Sequence, residues 1–275
     1  MGSGLIAFGI AKKVPNLEVV NWLDDPRRRL DIRPPGQGGD GCPRNTWVRS
    51  IGVHTTIGEN VMLVPGLGPG TDKDARTETF WRESHDSAGA QFIVDGDGTT
   101  YQGADATTEM SYHANTVNNP SVGIECKQDG QGRLYQGQLD KLVILIDELT
   151  RRIPTIPRFV HWPFRGPLLR LAAGGRDFCG IFGHRDVGVF KDGKMVAVRG
   201  RGDPSDAPFE ALIHAGYEKF DFGNNEDKFM VKQRQREVGM FPDQCDGIRG
   251  PKTIEAFIRA GHFFGQWVTR PGDLT

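Results

Sequence analysis

The sequence predicts an α/β (α+β) fold, a mixed central β-sheet flanked by helices, followed by a small C-terminal helical module. Three observations predict it. Short apolar, β-branched runs recur through most of the chain, an amphipathic helix lies among them, and the character of the sequence changes after Asp221-Phe222-Gly223-Asn224-Asn225.

Taken in order, residues 34–43 (PPGQGGDGCP) are rich in Gly and Pro and read as a loop. That loop separates an N-terminal arm, which carries Arg27-Arg28-Arg29, from a first strand over Trp47 to Thr56 (WVRSIGVHTT). A second Gly-rich loop follows at 65–74. Ala90 to Val94 and Thr99 to Gln102 form a predicted hairpin, with Asp95-Gly96-Asp97-Gly98 as its turn, and Ser121 to Cys126 reads as a further strand. Leu139, Leu142, Val143, Ile146 and Leu149 recur at helical spacing, so a helix is expected there, ending near Pro154. Phe178 to Gly183 is a short apolar strand that runs into His184-Arg185-Asp186, and Ala207 to Ala215 reads as a short helix. The domains expected are an arm over 1–45, a catalytic domain over 46–222 and a helical module over 226–275.

Lys plus Arg (34) almost equal Asp plus Glu (35), which removes the basic excess of a dedicated nucleic-acid binder. No apolar run approaches the roughly 20 residues that span a bilayer, so membrane insertion is not expected. The N-terminus is mildly apolar without a basic stretch ahead of it, a poor secretory signal. Cys42, Cys126, Cys179 and Cys245 are scattered with no CxxC pair, which excludes a Cys-rich zinc finger and speaks against a disulfide framework. Cys126 and Cys179 lie in apolar strand-like runs and read as small buried hydrophobes.

Three residues make a candidate catalytic zinc site: His54 near the end of one apolar strand, His184 just after another, and Asp203 in a loop before Pro204. Catalytic zinc takes about three such protein ligands and leaves a position open. Asp186, Asp206 and Cys179 are alternatives for the third place. Glu125 follows the strand Val122-Gly123-Ile124 and projects from a rigid edge.

Five motifs, in order, resemble the zinc amidase family that includes bacterial and phage N-acetylmuramoyl-L-alanine amidases and the animal peptidoglycan recognition proteins. They are IGVHTT (51–56), AGAQFIVDGDGTTYQ (88–102), YHANTVNNPSVGIE (112–125), FGHRDV (182–187) and RGRGDPSDAPF (199–209), and the likeness covers roughly residues 45–215. The resemblance implies Zn2+ held by His54, His184 and Asp203, with Glu125 as the acid/base carboxylate. It also implies His113 and Asn115 in the substrate groove, His113 steadying the reacting carbonyl. Where the family usually has a lysine, two places before the acidic ligand, this chain has Arg201, a cation of different shape expected at the oxyanion. Ser205 replaces the usual Gly, and residues 188–198 (GVFKDGKMVAV) fill a long gap between His184 and Asp203 as an added hairpin. Trp81 matches a family tryptophan expected in the core, and His85, His161, His214 and His262 match no ligand motif.

Residues 228–260 resemble a small peptidoglycan-binding module, most specifically through DGIRGPKTIEAF (246–257). The expected function is therefore hydrolysis of the amide between N-acetylmuramic acid and the L-alanine of the stem peptide. Two other readings stand beside it: a non-catalytic peptidoglycan receptor, and a zinc peptidase acting within the stem, for which no HExxH motif is present. A wall-binding tail without a signal peptide suggests a phage endolysin released by a holin, or an effector sent out by a specialised secretion machine with an immunity or delivery partner. In either case synthesis is cytoplasmic and action is in the periplasm or wall.

Overall fold

The computed structural model describes residues 4–25, 29–30, 41–56, 89–114, 117–128, 133–162, 179–191, 194–197 and 203–220. The chain divides into two units, Met1–Phe220 and Asp221–Thr275, and the second lies outside the described residues. The expected helical module over 226–275 therefore lies there too, as do Trp81, His85 and His262.

The strands in chain order are β1 (Leu5–Ala7), β2 (Ile10–Lys12), β3 (Val19–Asn21), β4 (Gly41–Pro43), β5 (Ser50–Thr56), β6 (Phe92–Val94), β7 (Thr100–Gln102), β8 (Glu109–Ser111), β9 (Ser121–Lys127), β10 (Phe159–His161), β11 (Gly180–Gly183), β12 (Gly188–Lys191), β13 (Lys194–Ala197) and β14 (Glu218–Phe220). Among the described residues there are two α-helices, α1 (Gln136–Arg152) and α2 (Ala207–His214). Eight strands form one mixed sheet in the order β14–β10–β11–β5–β9–β6–β7–β3. From β14 to β6 every pairing is parallel; β7 runs against β6, and β3 runs with β7. A mixed sheet with helices is what the sequence predicts.

Parallel strands buried on both faces read as nearly continuous apolar runs. Ile51 and Val53 of β5, Val122 and Ile124 of β9, Phe92 and Val94 of β6 and Ile181 of β11 point to one face and join one core cluster. Leu142, Leu145, Ile146 and Leu149 of α1 and Phe209 and Leu212 of α2 cover that face. Leu145 takes a buried place, while Val143, an expected core residue, is only partly buried. The start of α1 is tied to the sheet by the buried Gln138 side chain. Its Nε2 donates to Val94 O at 2.8 Å and Lys127 O at 2.7 Å, and its Oε1 accepts from Tyr135 N. Arg151 and Arg152 suit the negative end of the helix dipole, and Pro154 stops the helix. Among the described residues no helix is long and apolar enough to cross a membrane.

The first strand begins three residues later than expected. Arg49 N and Ser50 N both bond to Pro120 O, so the ladder with β9 opens at Ser50, and Trp47 stays exposed. Much of the expected arm is built into the domain. β3 forms the sheet edge, β4 pairs with β8, and the β1–β2 hairpin is held by side chains. Gln102 acts as a strand partner for Ile6, accepting from its N–H at 2.8 Å and donating to its carbonyl at 2.7 Å, while Arg152 donates to Leu5 O at 2.7 Å.

His161, which matches no ligand motif, is buried in β10, its Nε2 lying 3.0 Å from Cys179 O. Burial pushes its pKa from 6.5 down to about 3. Between those values the unfolded chain binds a proton that the fold rejects. This contribution is intact above the unfolded pKa and is lost as pH falls through the window. We expect His161→Gln, which retains a donor, to flatten the fall in urea-unfolding free energy between about pH 6.5 and about pH 4; an unchanged slope would exclude His161 as a source of acid sensitivity.

Candidate active site

The site grows from strand register. His54 of β5 stands directly opposite Glu125 of β9, and Gly183, the last residue of β11, pairs with Val53. His184, next along, therefore emerges beside His54. Three chemically capable side chains thus sit in a row at the carboxyl ends of neighbouring parallel strands, the place where open α/β sheets bind ligands.

Asp203 joins them from a distance in sequence. β12 and β13 pair antiparallel from Gly188↔Ala197 to Lys191↔Lys194, so the chain leaves and returns at one point. This is the hairpin expected in the gap between His184 and Asp203. Arg185 N then donates to Asp203 O at 2.7 Å, and Arg185 Nη2 pairs with Asp206 at 2.6 Å. A Cβ on Gly183 would lie 2.8 Å from Pro204 Cδ, so only glycine leaves room for the loop to close over the strand end.

His54, His184 and Asp203 form the group of donors able to hold a metal among the described residues. Asp203 Oδ1 lies 3.5 Å from His184 Nδ1, and Asp203 Oδ2 lies 3.9 Å from His54 Nδ1. Tetrahedral zinc at its usual bond lengths sets neighbouring donors about 3.4 Å apart. Burial first, then the nearby His184 and His113, hold His54 well below the ordinary imidazole value, so it offers a neutral ring. Burial alone would raise the Asp203 carboxyl, but hydrogen bonding to it, from the His184 side chain above all, outweighs this and holds it low. Among the described residues Asp203 Oδ1 has no hydrogen-bond partner although it is buried. A neutral imidazole, an ionised carboxylate and an unsatisfied buried oxygen fit a divalent cation such as zinc.

Glu125 Oε1 stands 4.0 Å from His54 Nδ1 and is partly exposed, so it borders the donor cluster without being sealed by it. The alternatives for the third donor point elsewhere. Asp186 Oδ2 accepts from Gly183 N, Asp206 is exposed and paired with Arg185, and Cys179 is buried just ahead of β11. Arg201 and Asn115 lie outside the described residues.

His113 lies against the sheet rather than in open space. Gly52 and Gly123 are paired across β5 and β9, and a Cβ on either would fall 2.9 Å or 2.6 Å from the His113 ring. Both ring nitrogens are engaged within the protein: Nδ1 is 2.9 Å from His54 Nε2, and Nε2 is 2.9 Å from Ser121 Oγ. Neither is left for the groove hydrogen bond expected of this residue. Sequence reasoning missed Ser121, and it missed a legible signal: a glycine two places before both His54 and Glu125.

Fold and site together define a mixed α/β domain with a His/His/Asp donor group at the carboxyl ends of its parallel strands. The profile of the N-acetylmuramoyl-L-alanine amidase family matches residues 44–204, more than half of the 275-residue chain and a span holding His54, Glu125, His184 and Asp203. The chain belongs to that family. Similar solved structures include PGRP-Hd from Alvinella pompejana (18% identity over 49% of this chain and 79% of that one, TM-score 0.39). The N-acetylmuramoyl-L-alanine amidase LysC from Clostridium intestinale is another (17% identity, 62% and 93%, TM-score 0.38). Drosophila peptidoglycan recognition protein SD is a third (14% identity, 75% and 99%, TM-score 0.45). Among curated proteins none matches the chain.

The glycine pair is open to a direct test. Gly123→Ala sets a methyl against the His113 ring and is expected to cost about 1–3 kcal/mol in urea unfolding. Gly137→Ala, in the first turn of α1 with nothing within 4 Å of the new methyl, is expected to gain roughly 0.5–1 kcal/mol. Equal effects of the two would refute the packing role given to Gly123.

Proposed function

We propose that this protein is a zinc-dependent peptidoglycan amidase that hydrolyses the bond between the lactyl carbonyl of N-acetylmuramic acid and the L-alanine of the stem peptide. The observation that carries the reading is the convergence of His54, His184 and Asp203 beside a partly exposed Glu125, inside the span that matches the amidase family. That complete set favours an enzyme over a non-catalytic receptor.

His54, His184 and Asp203 would hold the ion. Zinc supplies Lewis-acid polarisation of a carbonyl and brings the ionisation of water near neutral pH. Glu125 accepts the proton of the attacking water and delivers it to the alanine nitrogen, so that the stem peptide departs as a neutral amine rather than an anion. In this reading Arg201 contributes positive charge to the carbonyl oxygen, residues 226–275 hold the enzyme on the wall, and the protein reaches its substrate by holin-type release or specialised secretion.

Digestion of purified peptidoglycan, read by mass spectrometry, is expected to release free stem peptides that begin at L-alanine, and a chelator is expected to stop it. Glu125→Gln is expected to lower turnover by about 10²–10⁴-fold with zinc still bound. Cleavage at another bond, or full activity in the chelator, would sink the proposal. Removal of 226–275 should slow action on intact walls more than on soluble fragments, since tethering raises local substrate concentration without adding catalytic contacts; equal slowing on both would reject a wall-holding role.

A further inference from the structure

Four polar groups on the site face of β5 and β9 connect in one direction, starting from a group whose role is not negotiable. The Val117 carbonyl only accepts, and Ser121 Oγ bonds to it, which commits the single hydroxyl hydrogen of Ser121. Ser121 Oγ must then accept from His113 Nε2, 2.9 Å away, so that nitrogen carries the hydrogen. In an uncharged ring His113 Nδ1 is bare, and it accepts from His54 Nε2 at 2.9 Å. His54 is left with a lone pair on Nδ1, the nitrogen 3.9 Å from Asp203 Oδ2.

We infer that His113 and Ser121 are positioning residues that, with the Val117 carbonyl, lock His54 in its Nε2–H tautomer and present its bare Nδ1 to the space shared with His184 and Asp203. The inference deepens the zinc reading above and rests on it for the identity of the ion. The opposite arrangement needs a proton on His113 Nδ1, which makes that ring a cation. It also needs His54 to carry its hydrogen on Nδ1, where it would fill the position that an ion requires.

The far end of the chain of bonds is itself fixed. The partly buried Arg44 guanidinium donates to the carbonyls of Asn118 at 3.3 Å, Glu109 at 3.0 Å and Ser121 at 3.0 Å, which holds the 117–121 turn against the sheet. Gly52 and Gly123 let the His113 ring approach closely enough to bridge that turn to His54. A histidine ligand whose second nitrogen is held in this way keeps its ring orientation and tautomer before the ion arrives, and such outer partners commonly change metal affinity by about 10–100-fold.

The test uses the full chain, labelled with ¹⁵N and freed of metal, with long-range ¹H–¹⁵N correlations of the imidazole rings at neutral pH. His54 and His113 are both expected as Nε2–H tautomers. Zinc alone, titrated against a chromophoric chelator, is expected to bind Ser121→Ala about 10–100-fold more weakly than the unaltered chain, with Ser121→Thr, which restores the hydroxyl, recovering much of the loss. His54 found with its hydrogen on Nδ1 in the unaltered protein overturns the inference, whatever the variants do. A Ser121→Ala protein that keeps both the zinc affinity and the His54 ring signals of the unaltered chain overturns it as well. Correct tautomers with no zinc binding would uphold the lock and remove the zinc reading on which its purpose rests.

Discussion

The parallel pairing of β5 on β9 is the constraint on which the site depends. Seven residues of each strand pair in register, from Ser50↔Ser121 to Thr56↔Lys127, and this one alignment sets His54 opposite Glu125, Gly52 opposite Gly123, and Val53 with Ile124 toward the helices. Side chains alternate across a strand, so a slip of one residue would turn the imidazole into the apolar core and bring valine to the site. The core enforces the choice. Burying Ile51, Val53, Val122 and Ile124 beneath α1 is worth roughly 1.5–3 kcal/mol for each side chain, and those gains exist only in the register that also aligns the polar row. The site is in this sense a by-product of core packing on the opposite face.

Glycine completes the arrangement. Any side chain at Gly52 or Gly123 would lift the His113 ring from the sheet and break its bridge between His54 and Ser121. The same face therefore carries two kinds of position: those at the strand ends, which supply donors, and those two residues earlier, which supply space.

Much of this was legible in sequence where a residue's surroundings are local. His54, Glu125 and His184 each follow an apolar run, and a polar residue at the end of a buried parallel strand has few places to point. The helix α1 was legible because its apolar spacing repeats from Leu139 to Leu149, about three turns. The N-terminal strands were not, because runs of three residues are too short to show an alternating pattern, and they are held by Gln102 and Arg152 reaching to their backbone from remote positions. β10 and β14 escape for the same reason of length. Ser121 reads in sequence as an ordinary first residue of a strand; its partners, His113 and the Val117 carbonyl, are brought to it by a turn that no local periodicity marks.

Asp203 differs from the other donors in what holds it. His54 and Glu125 are fixed by a sheet ladder, and His184 by the single 3-10 turn (His184–Asp186) that continues β11, closed by Val187 N donating to His184 O at 3.1 Å. Asp203 is fixed by the main-chain bond from Arg185, by Pro204 seated on Gly183, and by the Arg185–Asp206 pair, whose acidic partner is exposed. A partly exposed ion pair is screened by solvent and contributes little, so the carboxylate position rests chiefly on one hydrogen bond and one steric contact. His54 and Glu125 thus stand within a continuous ladder, whereas Asp203 is brought in from a loop by fewer contacts. Asp203 lies 3.5 Å from one imidazole and 3.9 Å from the other. An inserted hairpin between His184 and Asp203 is tolerated. It begins and ends at paired residues, and so it lengthens the chain without moving the point at which the carboxylate must return.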